Sequence, residues 1–169
     1  FILYGLLCST ALFAKEQISS KNIEASKNAR LQFIENKGQI TDQDKKARND
    51  IDFKLEVKGL TIFGGDAQLH YQWSQTDSKP EDSILFTNIY RMDVKLLGAN
   101  TAAVLQKEEP QNYYENFYGV KYKGVATAKS YSRLVYKNIY PQIDWVIYTN
   151  GQALKYDFVV HKGGNPADI

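Results

Sequence analysis

The chain is nearly free of cysteine: Cys8 is the only one among 169 residues. It lies inside an apolar leader, so removal of that leader leaves a chain without disulfides and without thiol chemistry. Histidine is almost as scarce. His70 and His161 lack the spacing of a metal-binding pair, and each reads as an ordinary exposed or core histidine. An excess of one charge is missing too, since 21 basic and 19 acidic residues leave only +2. The basic residues are dispersed rather than striped, which excludes a phosphate-tracking surface and argues against nucleic acid or anionic membrane as a partner. No apolar run reaches the roughly 20 residues that span a bilayer, so no transmembrane segment is expected.

Familiar reactive motifs are absent as well. There is no Gly-x-Ser-x-Gly elbow. Gly64-Gly65 and Gly163-Gly164 lack the strand-Gly-helix setting of a phosphate cradle and read as turns. Asp42-Gln43-Asp44 resembles the opening of a calcium loop, but the following glycine and distal glutamate are missing, so a solvated turn is expected. The sequence thus assembles no catalytic set and calls for no cofactor and no metal. A non-enzymatic role is the expectation.

What is present begins at the N-terminus. Residues 1–14 are apolar apart from Gly5, Cys8, Ser9 and Thr10, and Lys15-Glu16-Gln17 follows abruptly. A short apolar run ending at a small residue reads as a secretory signal peptide. Cleavage after Ala14 places Leu12 at the −3 position, where a small residue is preferred, and Leu7 is bulky for the position before a lipid-modified cysteine. Residues 15–30 form a polar linker, and residues 31–169 the domain proper. His161-Lys-Gly-Gly-Asn-Pro-Ala-Asp-Ile169 is turn-rich and stops as a new apolar position appears, so the domain is expected to continue beyond Ile169. The expected object is a fragment of a larger protein, secreted or held at the cell surface.

The domain carries β periodicity. Asp52-Phe53-Lys54-Leu55-Glu56-Val57 alternates strictly, Lys58-Gly59 turns, Leu60-Thr61-Ile62-Phe63 continues, and Gly64-Gly65-Asp66 turns again. Gln68 to Trp73 forms a further run, residues 74–83 read as a polar loop, and residues 89–96 alternate before Gly98-Ala99-Asn100. Val104-Leu105 and the tyrosine cluster at 113–118 are shorter signals. Residues 41–50 are charged and expected at the surface. No stretch after Arg30 sustains a helical period, so the fold class is mainly β, an antiparallel sandwich or barrel-like domain.

The sharpest pattern lies at residues 131–160, where two β-type runs meet at Asn150-Gly151, a dipeptide suited to a two-residue type I′ turn. That turn would set Ile147 opposite Leu154, Trp145 opposite Tyr156 and Ile143 opposite Phe158, an apolar face that needs covering by a second layer. The other face would set Val146 opposite Lys155 and Asp144 opposite Asp157. Two facing carboxylates repel, and Lys155, diagonal to Asp144, together with Arg133 or Lys137, would offset them. A structural ion network is the reading adopted for the cluster Asp144, Asp157, Lys155 and Arg133. The sharper alternative is a site, either a retaining-glycosidase pair at about 5–5.5 Å or a Ca²⁺ position.

Several short motifs recur in a fixed order: Phe33-Ile34-Glu35-Asn36-Lys37-Gly38-Gln39; Tyr90-Arg91-Met92-Asp93 leading to Leu97-Gly98-Ala99-Asn100; Asn112-Tyr113-Tyr114; Tyr136-Lys137-Asn138-Ile139-Tyr140-Pro141-Gln142-Ile143-Asp144; then Asn150-Gly151, Leu154 to Val160, and Asn165-Pro166. In these the chain resembles an uncharacterised β-rich domain near the N-terminus of large exported proteins typical of Bacteroidetes. That domain precedes SBBP β-propeller-type repeats, PKD-like domains or a type IX secretion sorting domain. The resemblance covers most of residues 33–169. It departs at Gln142, where the family usually has glycine, and at Glu115-Asn116-Phe117-Tyr118, where a Gly-Asn-Asp-Pro tract and a tryptophan are usual. It supplies no catalytic residues. It implies an exported protein whose partners are the following domains of the same polypeptide, with cell-surface glycans or proteins as further partners.

Two functions from different classes follow. The first is a non-catalytic extracellular module with a structural, adhesive or interaction role. The alternative is a carbohydrate-binding or glycoside-hydrolysing module that uses Asp144 and Asp157, aided by exposed tyrosines.

Overall fold

A computed structural model describes residues 31–57, 59–77, 86–119, 124–151 and 153–169. The expected signal peptide and linker, most of the polar loop at 78–83, Lys58 and Gln152 lie outside the described residues. Nine strands form one sheet: β1 (Phe33–Glu35), β2 (Phe53–Val57), β3 (Leu60–Gly65), β4 (Gln68–Asp77), β5 (Phe86–Lys95), β6 (Val104–Gly119), β7 (Gly124–Tyr140), β8 (Ile143–Thr149) and β9 (Leu154–Val160). All pairs are antiparallel, in the order β5-β4-β3-β2-β1-β7-β8-β9, with β6 also on β7. The mainly β expectation therefore holds, and of its two forms the barrel-like one is realised: the sheet curls into an open half-barrel.

One side of this sheet makes the core. Phe33, Phe53, Leu55, Ile62, Leu69, Leu134, Tyr136, Ile143, Trp145 and Ile147 are buried together on it. Alternation along each strand sends these residues inward and their neighbours outward. Trp145 stacks on Tyr136 at 5.5 Å and on Phe158 at 6.4 Å between ring centres. It is the core residue that the alternating pattern predicts.

Three local expectations need correction. Gly64 and Gly65 do not turn; they end β3, and their missing side chains are what the structure uses. A Cβ on Gly64 would strike the Phe53 ring, and one on Gly65 would strike the Asp50 carbonyl. The turn instead falls on Asp66 and Ala67, with φ of 48° and 57°, between the paired residues Gly65 and Gln68. Two successive positive φ angles are the mark of a type I′ hairpin turn. Residues 74–77, expected in a loop, continue β4 and pair with β5.

The third correction concerns the hairpin at Asn150-Gly151. Thr149 pairs with Leu154, so the connection is two residues longer than expected and every cross-strand partner shifts by two. Only Gly151 of the dipeptide takes a positive φ, 91°. Two contacts fix this geometry: Leu31 N–H donates to the Gly151 carbonyl at 3.1 Å, and the Thr149 hydroxyl donates to the Leu31 carbonyl at 2.9 Å. A shift of two keeps every side chain on its expected face but changes its partner. Trp145 now faces Phe158, and Asp144 faces Val159 rather than Asp157.

Candidate functional site

Of the four residues of the expected polar cluster, Asp144 stands apart, while Arg133, Lys155 and Asp157 are neighbours of Tyr148 on β8. Asp157 is opposite Val146 and takes a hydrogen bond from the Tyr148 hydroxyl, which raises the pKa of that tyrosine. Lys155 is exposed and opposite Tyr148. Arg133 donates through Nε to Glu108 at 2.9 Å, its register partner on β6. Asp144 alone is buried, 3% exposed.

The burial of Asp144 is built by the local chain. Between the pairs Tyr136–Trp145 and Tyr140–Ile143, β7 has three residues opposite one on β8. Asn138 enters the left-handed region at φ 51°, so this bulge wraps the carboxylate. Lys137 Nζ and the Asn138 N–H at 2.9 Å donate to it, and His161 Nε2 reaches it at 2.8 Å. Burial alone would raise the Asp144 pKa, but those hydrogen bonds outweigh it and hold the value at about 2. The next two residues, Ile139 and Tyr140, are buried, and the Tyr140 hydroxyl donates to the Leu97 carbonyl at 3.0 Å. Pro141 and Gln142, the latter at φ 59°, make the tight turn back to Ile143. The most recognisable motif of the chain is thus a structural knot. Its carboxylate is saturated from within.

A second knot was not read from the sequence. Glu35, 3% exposed, accepts from Lys107 Nζ at 2.5 Å and from the Lys129 N–H at 3.0 Å, with Lys37 Nζ 3.4 Å away. Its pKa is lowered, because these donors overcome the upward push of burial. Lys107 and Lys129 lie 72 and 94 residues away in the chain, so no local pattern could have flagged them.

A third cluster sits on the outer side of the sheet. His70 on β4 is 7% exposed, and its Nδ1 lies 2.7 Å from Asp93 Oδ1 and 3.0 Å from Arg91 Nη2, both on β5. Arg91 Nε also donates to Asp93 at 2.7 Å, and this bond, with help from His70, lowers the Asp93 pKa. Facing them, Arg48 grips Asp50 through two bonds of 2.7 and 2.5 Å, which lowers the Asp50 pKa and raises that of Arg48. Residues 40–51 are tied down over the sheet. Asn36 Nδ2 donates to the carbonyls of Arg48 and Ile51 at 2.8 and 2.7 Å, and the Asp52 N–H donates to the Gly64 carbonyl at 2.7 Å. Between this loop and β3–β5 lies a cavity of about 370 Å³. The bare Gly65 backbone is what lets the loop pack so closely.

Against known families, residues 33–169 match one described as a domain of unknown function, DUF7948. The chain belongs to the DUF7948 family. No curated protein and no solved structure matches it. The DUF7948 domain therefore brings no assigned catalytic or binding residue to these clusters. Among its described residues there is no group of three or more His, Cys, Asp or Glu side chains placed to hold a metal ion, and no helix is long and apolar enough to cross a membrane.

Proposed function

We propose that this domain is a non-catalytic module of a larger exported protein, and that its open sheet edge receives a β-strand from a neighbouring domain of the same polypeptide. The role is structural, adhesive or interactive. The observation that carries this reading is the uncovered core side of β5. Tyr90 and Met92 are 64% and 47% exposed. Yet they pair with Trp73 and Tyr71, on the same side as the core residue Leu69 opposite Val94. At the far end of the sheet, Tyr156 and Val160 of β9 are likewise half-exposed beside the core residues Ile147 and Ile143. Among the described residues no strand pairs with the outer edge of β5. Such an edge is a template for strand addition, and apolar side chains at alternate positions select a matching strand.

The export part of the proposal is supported by the apolar run at residues 1–14 and by the resemblance to N-terminal domains of exported Bacteroidetes proteins. Hydrolysis by Asp144 and Asp157 receives no support, because the two do not face each other and Asp144 is internally paired.

Met92→Glu tests the edge. In the isolated chain this exposed substitution should change stability by less than about 0.5 kcal/mol. In the intact exported protein it should speed protease cleavage several-fold, because it places a charge in a covered seam. An unchanged cleavage rate in the intact protein contradicts the proposal. N-terminal sequencing of material recovered from the medium should begin near Lys15, and retention of residues 1–14 would contradict the export part.

A further inference from the structure

The cavity above β3–β5 is built like a ligand site, and its chemistry narrows the ligand. Its volume of about 370 Å³ falls in the ordinary range for small-molecule sites, roughly 300–1,000 Å³. The wall is mixed, with Ile40, Phe63 and Ile89 set against His70, Gln72, Arg48 and Arg91. The two guanidinium groups on that wall are each neutralised by a carboxylate that lies outside the lining, Arg48 by Asp50 and Arg91 by Asp93, and Asp42 on the wall itself leaves the group one negative charge in excess. An anion therefore meets no net positive field, and a cation meets two guanidinium groups. The fit is to a neutral ligand that both donates and accepts hydrogen bonds.

His70 sharpens this. Its ring is more than nine-tenths buried, its Nδ1 is engaged by Asp93 and Arg91, and its Nε2 has no protein partner among the described residues. Nδ1 cannot donate to Asp93 and accept from Arg91 at once, so Nε2 is an acceptor in one tautomer and a donor in the other. A hydroxyl satisfies either. The Gln72 amide, also without a side-chain partner among the described residues, offers both functions again. Phe63 and Ile89 give an apolar surface for C–H groups. We propose that this cavity binds a neutral saccharide, with hydroxyls on His70, Gln72 and the guanidinium groups and a ring face on Phe63.

The site lies on the opposite side of the sheet from the β5 seam, so it stands or falls independently of the module reading. The test uses the full chain on an array of neutral and acidic glycans, followed by amide NMR titration with the strongest neutral binder. The expected result is binding of a neutral glycan, with shifts centred on Phe63, His70 and Gln72. Gln72→Ala, which removes a half-buried side chain and no structural bond, should weaken binding about tenfold, the worth of one hydrogen bond. Arg91→Ala should weaken it further, and Lys155→Ala on another face should leave it unchanged. Absence of any glycan binding overturns the proposal. So does binding of acidic glycans alone, or shifts centred on the exposed tyrosines Tyr113, Tyr114 and Tyr118 of β6.

Discussion

Asp144 shows how one side chain ties a fold together. Its carboxyl titrates near 3.8 when unfolded and at about 2 when folded. A depressed pKa means stability that is complete above about pH 4 and is lost as pH falls toward 2, worth roughly 2 kcal/mol. Asp144→Asn removes that titration. Urea unfolding of both proteins should show a gap of roughly 2 kcal/mol at pH 5 that shrinks as the pH approaches 2; a gap independent of pH would show that the charge is not what matters. Gly65 is the second decisive residue. Gly65→Ala presses a methyl group into the Asp50 carbonyl, and overpacking of this kind costs about 1–3 kcal/mol. The same change should loosen residues 40–51, seen as new amide exchange at Arg48 and Ile51, while the β8–β9 hairpin stays protected. Uniform loss of protection would contradict a local effect.

Among the elements, turns and bulges decide more than strands do. Gln142 sits at φ 59° directly after Pro141, a position where the resembling family usually places glycine. The left-handed conformation costs a residue with a Cβ about 1–2 kcal/mol relative to glycine. Gln142→Gly should therefore stabilise the domain by about 1 kcal/mol in chemical denaturation; destabilisation would mean that the glutamine side chain makes a compensating contact. The same elements show what could be read from the chain alone. Strict alternation at Asp52 to Val57 and at residues 89–96 located β2 and most of β5, because a half-buried strand writes its period directly into sequence. The inward face of β8 and β9 was also legible, since it depends only on parity. Register was not. It depends on Leu31 bonding to Gly151 and Thr149 from more than a hundred residues away, and the Asp144–Asp157 pair disappeared with it. The His70 cluster went unread for a related reason, since β4, β5 and the 40–51 loop meet only in three dimensions. The one trace in sequence was the Gly64-Gly65 pair, whose missing side chains serve close packing.

At the scale of the whole molecule, the sheet curls but does not close among the described residues. Of its edge strands, β5 and β9 expose apolar residues on the side that elsewhere forms the core. An exposed edge of this kind is a liability unless something covers it. The account rests on the claim that β5 is covered in the working protein by a strand from a neighbouring domain. Hydrogen exchange at the backbone amides of residues 90–94 that point away from β4, compared between the isolated chain and the longer polypeptide proposed to contain it, tests that claim most directly. Pairing predicts exchange slower by at least about tenfold in the longer polypeptide, because a strand amide exchanges only when its partner opens. Equal rates in the two proteins would contradict it.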